Sequence, residues 1–251
     1  MIEIQPLRDL AEIVPGDDLG ALLVGGLRNL AYAPRPGDVL VVTQKIVSKA
    51  EGLFVRLDDV RPGPRALELA QATKKDARLV ELVLAESTDV VRAVPGVLIT
   101  RHRSGHVMAN AGIDRSNIGP GTGDWVLLLP ADADRSAAMI RQALRQGWEE
   151  PPAVVISDSF GRPWRYGVVN VAIGASGMPA LVDRRGGRDR DGRTLEVTQI
   201  ALADLVAAAA GLTMGEAAEG IPAAIVRGVA FDHPSRPAAA LVRPVEEDLF
   251  R

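Results

Sequence analysis

Cysteine is absent from the 251 residues. Disulfides, thiolate nucleophiles and cysteine-ligated metals are therefore excluded. Histidine is scarce at three residues, and two of them lie in His102-Arg103-Ser104-Gly105-His106. Zinc sites with that spacing need a helix, whereas Ser104-Gly105 between strand-like flanks reads as a hairpin turn. No excess of positive charge exists. A net charge of -3 argues against a general nucleic-acid binder, so any anionic ligand must be met by local cations. No long hydrophobic run is present either. The most apolar helix candidate, Thr198 to Ala210, carries Asp204 and is too short to span a bilayer. Met1 to Pro6 lacks a basic region followed by an apolar run, so no secretory signal is visible and a cytoplasmic protein is expected. Neither an internal repeat nor a flexible linker appears. The chain reads as one domain over 1–251, with 47% hydrophobic residues supplying ample core.

The stretch Ala153 to Val197 organises what is present. Ala153-Val154-Val155-Ile156 reads as a buried strand. It delivers Ser157-Asp158-Ser159 at its C-terminal end, where ligands commonly sit in sheet proteins. Gly161 and Pro163 then predict a turn. Arg162, Arg165, Arg184, Arg185, Arg188, Arg190 and Arg193 follow among glycines. A carboxylate beside a hydroxyl, followed by arginines, suits metal-assisted phosphate chemistry; a solvated charged loop is the plain alternative.

Other elements follow from periodicity. Ile2 and Ile4 alternate like a strand. Asp17-Asp18 precedes an amphipathic helix carrying Leu19, Leu22, Leu23, Leu27 and Leu30. Val39 to Val42 is a second buried strand, ending in Thr43 to Gly52. Lys45 and Lys49 at that strand end suit phosphates or a solvent-facing turn equally, and no G-x-x-x-x-G-K-[ST] loop exists. Helices are predicted from Pro64 through Ala70 and over Ala77 to Glu86. Strands are predicted at Val90-Val91 and Val97 to Ile99, around a Pro95-Gly96 turn. Ala109 to Asn117 is a loop of small and polar residues holding Asp114 and Asn117, readable as an Asx-type turn. Trp125 to Leu129 is a strand, Ser136 to Gln146 a helix, and Thr198 to Ala210 a helix. Thr213-Met214-Gly215-Glu216 has the T-x-x-E form of a capping box, which gives Glu216 a structural role as plausible as a ligand role. Val226 to Gly228 closes a last strand. The tail from Asp232 to Arg251 is expected to pack on the surface or on a partner subunit.

Four segments, VVTQKIVSKAEG, NAGIDRSN, ISDSFGRPWRYGVVNVAIG and GLTMGEAAEGIPAAIVRG, occur in this order between about Ile4 and Gly228. Together they resemble the coenzyme F420-0:gamma-glutamyl ligase family, in its stand-alone form without a nitroreductase-like domain. The resemblance implies an α+β fold: mixed sheets with flanking helices in two interlocked subdomains, paired into an intertwined homodimer. It implies GTP as co-substrate and a divalent metal, Mg2+ or Mn2+, with L-glutamate and F420-0 as the substrates joined. It places Asp114, Asp158, Ser159 and Glu216 at metal positions. It places Gln44, Lys45, Lys49 and Asn117 at nucleotide contacts, and Leu10, Ala11, Glu12 and Ile13 in a nucleotide-binding segment. Met214, Gly215, Glu216, Ala217, Ala218, Glu219, Gly220 and Ile221 form a second such segment.

These residue types agree with the implied chemistry. A carboxylate resists amines until its oxygen becomes a leaving group, which phosphoryl transfer from GTP provides. Catalysis is then mostly positioning and charge neutralisation. Arg162, Arg165, Arg184, Arg185 and Arg188 are candidates for gripping the anionic acceptor or glutamate. No residue stands out as general base for the amine. A metal-dependent nucleotide phosphohydrolase needs the same carboxylates and lysine but no acceptor pocket, and the arginines beyond Asp158 weigh against it. A non-catalytic nucleotide-binding protein would have less reason to keep the carboxylates.

Overall fold

The protein is described by a computed structural model covering residues 1–119 and 124–248. The fold is α+β, with several sheets and flanking helices. Its elements begin with β1 (Glu3–Pro6), α1 (Leu19–Asn29), β2 (Val39–Thr43), α2 (Gln44–Ala50), β3 (Phe54–Arg56), α3 (Pro64–Thr73) and α4 (Ala77–Ala85). Then come β4 (Ser87–Val94), β5 (Val97–His102), β6 (Val107–Ala109), β7 (Trp125–Leu127), α5 (Ala133–Leu144), β8 (Ala153–Arg162) and β9 (Arg165–Ser176). The last are β10 (Leu181–Asp183), β11 (Gln199–Ala201), α6 (Leu202–Met214) and β12 (Ala223–Arg227). Among the described residues no helix is long and apolar enough to cross a membrane.

The central sheet has the order β1-β12-β2-β8-β9. Only β2 and β8 are parallel, in register from Val39↔Ala153 to Thr43↔Ser157. Both strands read as unbroken apolar runs because the sheet is covered on both faces. Leu40, Val42, Val154 and Ile156 face α1 and α5. Val39, Val41, Ala153 and Val155 face α6. Asp18 caps α1 by accepting from the Ala21 amide at 2.9 Å, and Asp132 caps α5 by accepting from Arg135 at 2.9 Å. A third cluster, among them Leu57, Leu69, Val80, Leu98 and Val126, fills the space between α3, α4 and the small sheets β4-β5-β6 and β3-β7.

Several expectations hold: the helix at Ala77, the strand pair around Pro95-Gly96, and the turn between β5 and β6 at the two histidines. Three need correction. Residues after Thr43 form α2 rather than a solvent-facing turn, and Gln44, Ser48 and Lys49 are buried. The strand at Ala153 continues through Arg162, so Asp158 and Ser159 are internal to a long hairpin with β9. Polar residues there face a cleft rather than ending the strand. The T-x-x-E box caps no helix: Thr213 is in the last turn of α6, its hydroxyl donating to the Ala210 carbonyl at 3.1 Å, and Glu216 lies beyond that helix.

The tail packs on its own chain as far as residue 248; residues 249–251 of the predicted tail lie outside the described residues. Asp134 on α5 is the anchor. Its Oδ1 accepts from the Ala175 amide at 2.8 Å and the Ala238 amide at 2.7 Å, and its Oδ2 accepts from the Ala239 amide at 3.1 Å. One carboxylate thus ties helix, sheet and tail. Asp134→Ala strands three amides and is expected to lower stability by about 3 kcal/mol. Urea denaturation would measure this, against a loss of about 1 kcal/mol for the capping variant Asp132→Ala.

Candidate active site

A cleft of about 990 Å3 opens where the parallel pairing of β2 with β8 ends at Thr43↔Ser157, and Thr43 and Asp158 both line it. Its walls come from widely separated parts of the sequence: the loop before α1, α2, the loop after β6, the β8–β9 hairpin, and the segment after α6. The β8–β9 register shifts between Ile156 and Ser157. Bulges re-aim the side chains that follow them, and here the next residue is Asp158.

Asp114 reaches the same place from the other side. Its backbone is clamped to Leu127 by two hydrogen bonds of 2.9 Å. The chain before it passes through Asn110 and Ala111 with φ of 50° and 51°. Alanine in the left-handed region costs on the order of 1 kcal/mol or more, so the surrounding packing holds this turn against a local preference. The Asp114 carboxylate accepts from Gln44 Nε2 at 2.7 Å and lies 3.4 Å from Lys45 Nζ. Lys45 also donates to the Ser116 carbonyl at 3.0 Å, and Gln44 is oriented by the Ser48 hydroxyl at 3.0 Å.

The two carboxylates differ in how well they are compensated. Burial raises the Asp114 pKa, and Lys45 and Gln44 oppose that rise. Asp158 is pushed up to about 7, first by burial and then by the Asp114 charge, with a further contribution from Glu216. Its opposing influences are the Ser159 amide, donating at 2.9 Å, and Lys45. Asp158 is therefore a carboxyl group that resists ionisation in this cleft.

The remaining walls are fastened across the cleft. Lys49, buried in α2, pairs with the exposed Glu12 at 2.5 Å. Asn117, at φ 55°, donates to the Ala217 carbonyl at 2.9 Å, joining the loop after Asp114 to the segment after α6. Asn170 on β9, the register partner of Ser159, donates to Glu216 Oε1 at 2.6 Å. Gly215, at φ 74°, lies so close to Glu219 that a Cβ would stand 2.2 Å from its carboxyl carbon.

Among the described residues, no three Asp, Glu, His or Cys side chains are gathered tightly enough to enclose a metal ion. Asp114 and Asp158 nevertheless suit a hard cation, because both supply oxygen and Asp158 is ionised at a cost that an adjacent cation would relieve. Such a partial set matches magnesium-type sites, where one or two carboxylates are completed by water and phosphate oxygens.

Residues 9–228 match the family described as F420-0:Gamma-glutamyl ligase. A Methanopyrus kandleri protein described as coenzyme F420:L-glutamate ligase is 46% identical over 255 residues, spanning 100% of this chain and 98% of its own length. Proteins of the same description from Methanothermobacter thermautotrophicus and Archaeoglobus fulgidus are 43% and 42% identical. They cover 94% and 91% of this chain, and 93% and 88% of their own lengths. This chain belongs to the F420-0:gamma-glutamyl ligase family.

The cleft gathers most of the residues expected from that resemblance. Leu10 to Ile13, Lys45, Lys49, Asn117 and Met214 to Ile221 all line it, as do Asp114, Asp158, Ser159 and Glu216. Gln44 stands behind it, holding Asp114. The arginines do not join them. Arg162 donates to the Tyr166 carbonyl at 3.0 Å, Arg185 pairs with Asp183, and Arg188 donates to the Gly192 carbonyl at 2.7 Å. Arg165 and Arg184 are exposed, and none of the five lines the cleft. The sequence reading missed Thr43, Arg115 and Asn170. Asn170 had a signal: a lone amide within the apolar run Val168 to Ile173.

The Asp158 environment has a consequence for stability in chelator. Its folded pKa of about 7 lies above the ordinary value of 3.8, so the unfolded chain gains more from ionisation as pH rises. Wild type is then penalised progressively between about pH 4 and 7, and fully above that. Asp158→Asn should out-stabilise wild type by an amount that grows over this range to a few kcal/mol and then levels off. Thermal denaturation at pH 4, 6 and 8 reads this directly.

Proposed function

We propose that this chain joins the amine of L-glutamate to the terminal carboxylate of the deazaflavin precursor F420-0 as GTP is converted to GDP and phosphate. The observation that favours this reading is the under-compensated Asp158 beside Asp114, on a cleft whose other walls are the expected nucleotide segments. The description of the relatives as coenzyme F420:L-glutamate ligases supplies the substrates.

A bound divalent cation would neutralise phosphate charge and polarise the transferred phosphoryl group. Asp114 and Asp158 would hold it, with Ser159 and Glu216 on the adjoining wall. Lys49 would move from Glu12 to phosphate oxygens; because Glu12 is exposed, that exchange strands no buried charge. Asn117, the segment before α1 and the segment after α6 would hold the nucleotide. A carboxylate oxygen of the acceptor then attacks the γ-phosphorus and GDP leaves. The glutamate amine attacks the resulting acyl carbon, the carbon–oxygen bond breaks, inorganic phosphate leaves, and the amine loses a proton. Excluding water protects the acyl phosphate until the amine arrives.

A metal-dependent nucleotide phosphohydrolase is the second reading, because no arginine of the expected acceptor set lines the cleft within one chain. Acceptor dependence separates the two. With GTP and Mg2+ or Mn2+ alone, the ligase forms negligible GDP, and adding F420-0 and glutamate stimulates release strongly. GDP release indifferent to F420-0 identifies the hydrolase. The proposal includes an intertwined homodimer in the cytoplasm. The exposed tip of the β8–β9 hairpin, with Trp164 at 84% and Tyr166 at 103% exposure, is its favoured contact. Light scattering that shows a monomer at micromolar concentration rejects the dimer.

Two substitutions test the binding roles. Asp158→Asn should weaken metal-dependent GTP binding at least tenfold while the fold is kept. Lys49→Ala should weaken it by a similar factor, and Lys45→Ala less, because Lys45 mainly serves Asp114. Calorimetric titration with a non-hydrolysable GTP analogue would read all three, and the reverse order of the lysines would reassign the phosphates.

A further inference from the structure

A second cavity, of about 770 Å3, lies at the other end of the parallel strand pair, where Gly37-Asp38 leads into β2 and Pro152 into β8. Its cations are Arg35, Arg141 and Arg145. The last two are one helical turn apart, at the end of α5, so their like charges share a face. Among the described residues none of the three guanidinium groups makes an ion pair or a side-chain hydrogen bond.

Arg145 has an ordinary reason to be there, since cations favour helix C-termini. Arg141 does not. Its Nε is buried without a hydrogen-bond acceptor. The guanidinium lies so close to Gly177, at φ 82°, that a Cβ there would stand 2.3 Å from Nε. Burial and the Arg145 charge both lower the Arg141 pKa, and no carboxylate opposes them. The acidic groups on the cavity wall do not change this balance. Asp38 is engaged through Oδ2 with Tyr32, at 2.9 Å, the Arg35 amide, at 2.9 Å, and Arg227, at 3.6 Å, while its Oδ1 is buried without a partner and pairs with none of the three arginines; Glu149 and Glu150 are exposed and pair with none of the arginines. A buried donor without acceptor costs on the order of 1–3 kcal/mol, and the residue that carries it lines a cavity of a size suited to small molecules. The cavity also offers apolar surface from Trp148, Phe231 and neighbouring prolines. Trp148 is fixed edge-on to Tyr32, with centroids 5.3 Å apart.

We propose that this cavity is a second ligand site, separate from the cleft, which takes a small organic anion. Its phosphate or carboxylate group would sit on Arg141 and Arg145 with Arg35 above, and its apolar part would lie against Trp148 and Phe231. The chemistry shared by such ligands is a compact anionic group on an apolar or aromatic body.

The chain has three tryptophans, so Trp148 can be observed alone in full-length protein carrying Trp125→Phe and Trp164→Phe. Phenyl phosphate is titrated in metal-free buffer while Trp148 fluorescence is followed. The proposal expects a saturable change, binding at least tenfold tighter than inorganic phosphate. It expects at least tenfold weakening by Arg141→Gln and by Arg145→Gln, and no effect of Lys49→Ala. Arg145 is exposed, so its substitution tests the site even if Arg141→Gln disturbs packing. The idea is overturned by a change that does not saturate, by equal affinity for inorganic phosphate, by unaltered binding in the Arg145 variant, or by loss of binding in Lys49→Ala.

Discussion

Two carboxylates set the terms for this molecule. Asp114 and Asp158 arrive at one cleft from different parts of the chain, and Asp114 is the better compensated, by Lys45 and Gln44. Asp158 is left half-buried beside a negative charge, with its pKa pushed up to about 7. A fold does not gain stability from that arrangement. Under the proposed function its counterpart is ligand chemistry: groups that resist ionisation without a cation would become favourable ligands once one enters.

Much of the architecture positions this pair. The parallel register of β2 and β8 brings α2, with Gln44 and Lys45, next to the hairpin that carries Asp158. The irregularity at Ile156/Ser157 turns Asp158 toward the cleft, and the left-handed turn at Asn110–Ala111 delivers Asp114. The bonds from Asn117 to Ala217 and from Asn170 to Glu216 tie the segment after α6 to both carboxylate-bearing elements. A nucleotide held there would touch pieces of chain that are already mutually restrained, which lowers the ordering cost of binding.

The legible parts of the sequence were those with a strong local pattern. The apolar runs at Val39 and Ala153, the helix at Ala77 and the hairpin at Pro95-Gly96 each declare themselves by periodicity or turn chemistry. The cleft residues were legible through four ordered segments rather than through spacing, because they converge only in three dimensions. What misled was context. Lys45 and Lys49 read equally as phosphate-binding or as a solvated strand end, and tertiary packing makes that stretch a helix with buried polar groups. Thr213 to Glu216 resembled a cap, yet no helix follows. The arginine-rich segment after Asp158 looked like an acceptor grip, but within one chain it stays away from the cleft, its contacts local. No one-dimensional pattern separates these outcomes, since each depends on which distant element covers the residue.

The proposed coupling between carboxylate ionisation and cation binding can be observed at the carboxyl group itself. Aspartate side-chain carboxyl carbons, labelled with carbon-13, would be titrated by NMR in chelator and again with Mg2+ and a non-hydrolysable GTP analogue. One aspartate should titrate with a midpoint near 7 in chelator, be missing in Asp158→Asn, and shift to the ordinary carboxylate range or below when metal and nucleotide are added. An Asp158 midpoint near 4 in chelator, or one that metal and nucleotide leave unmoved, would contradict it.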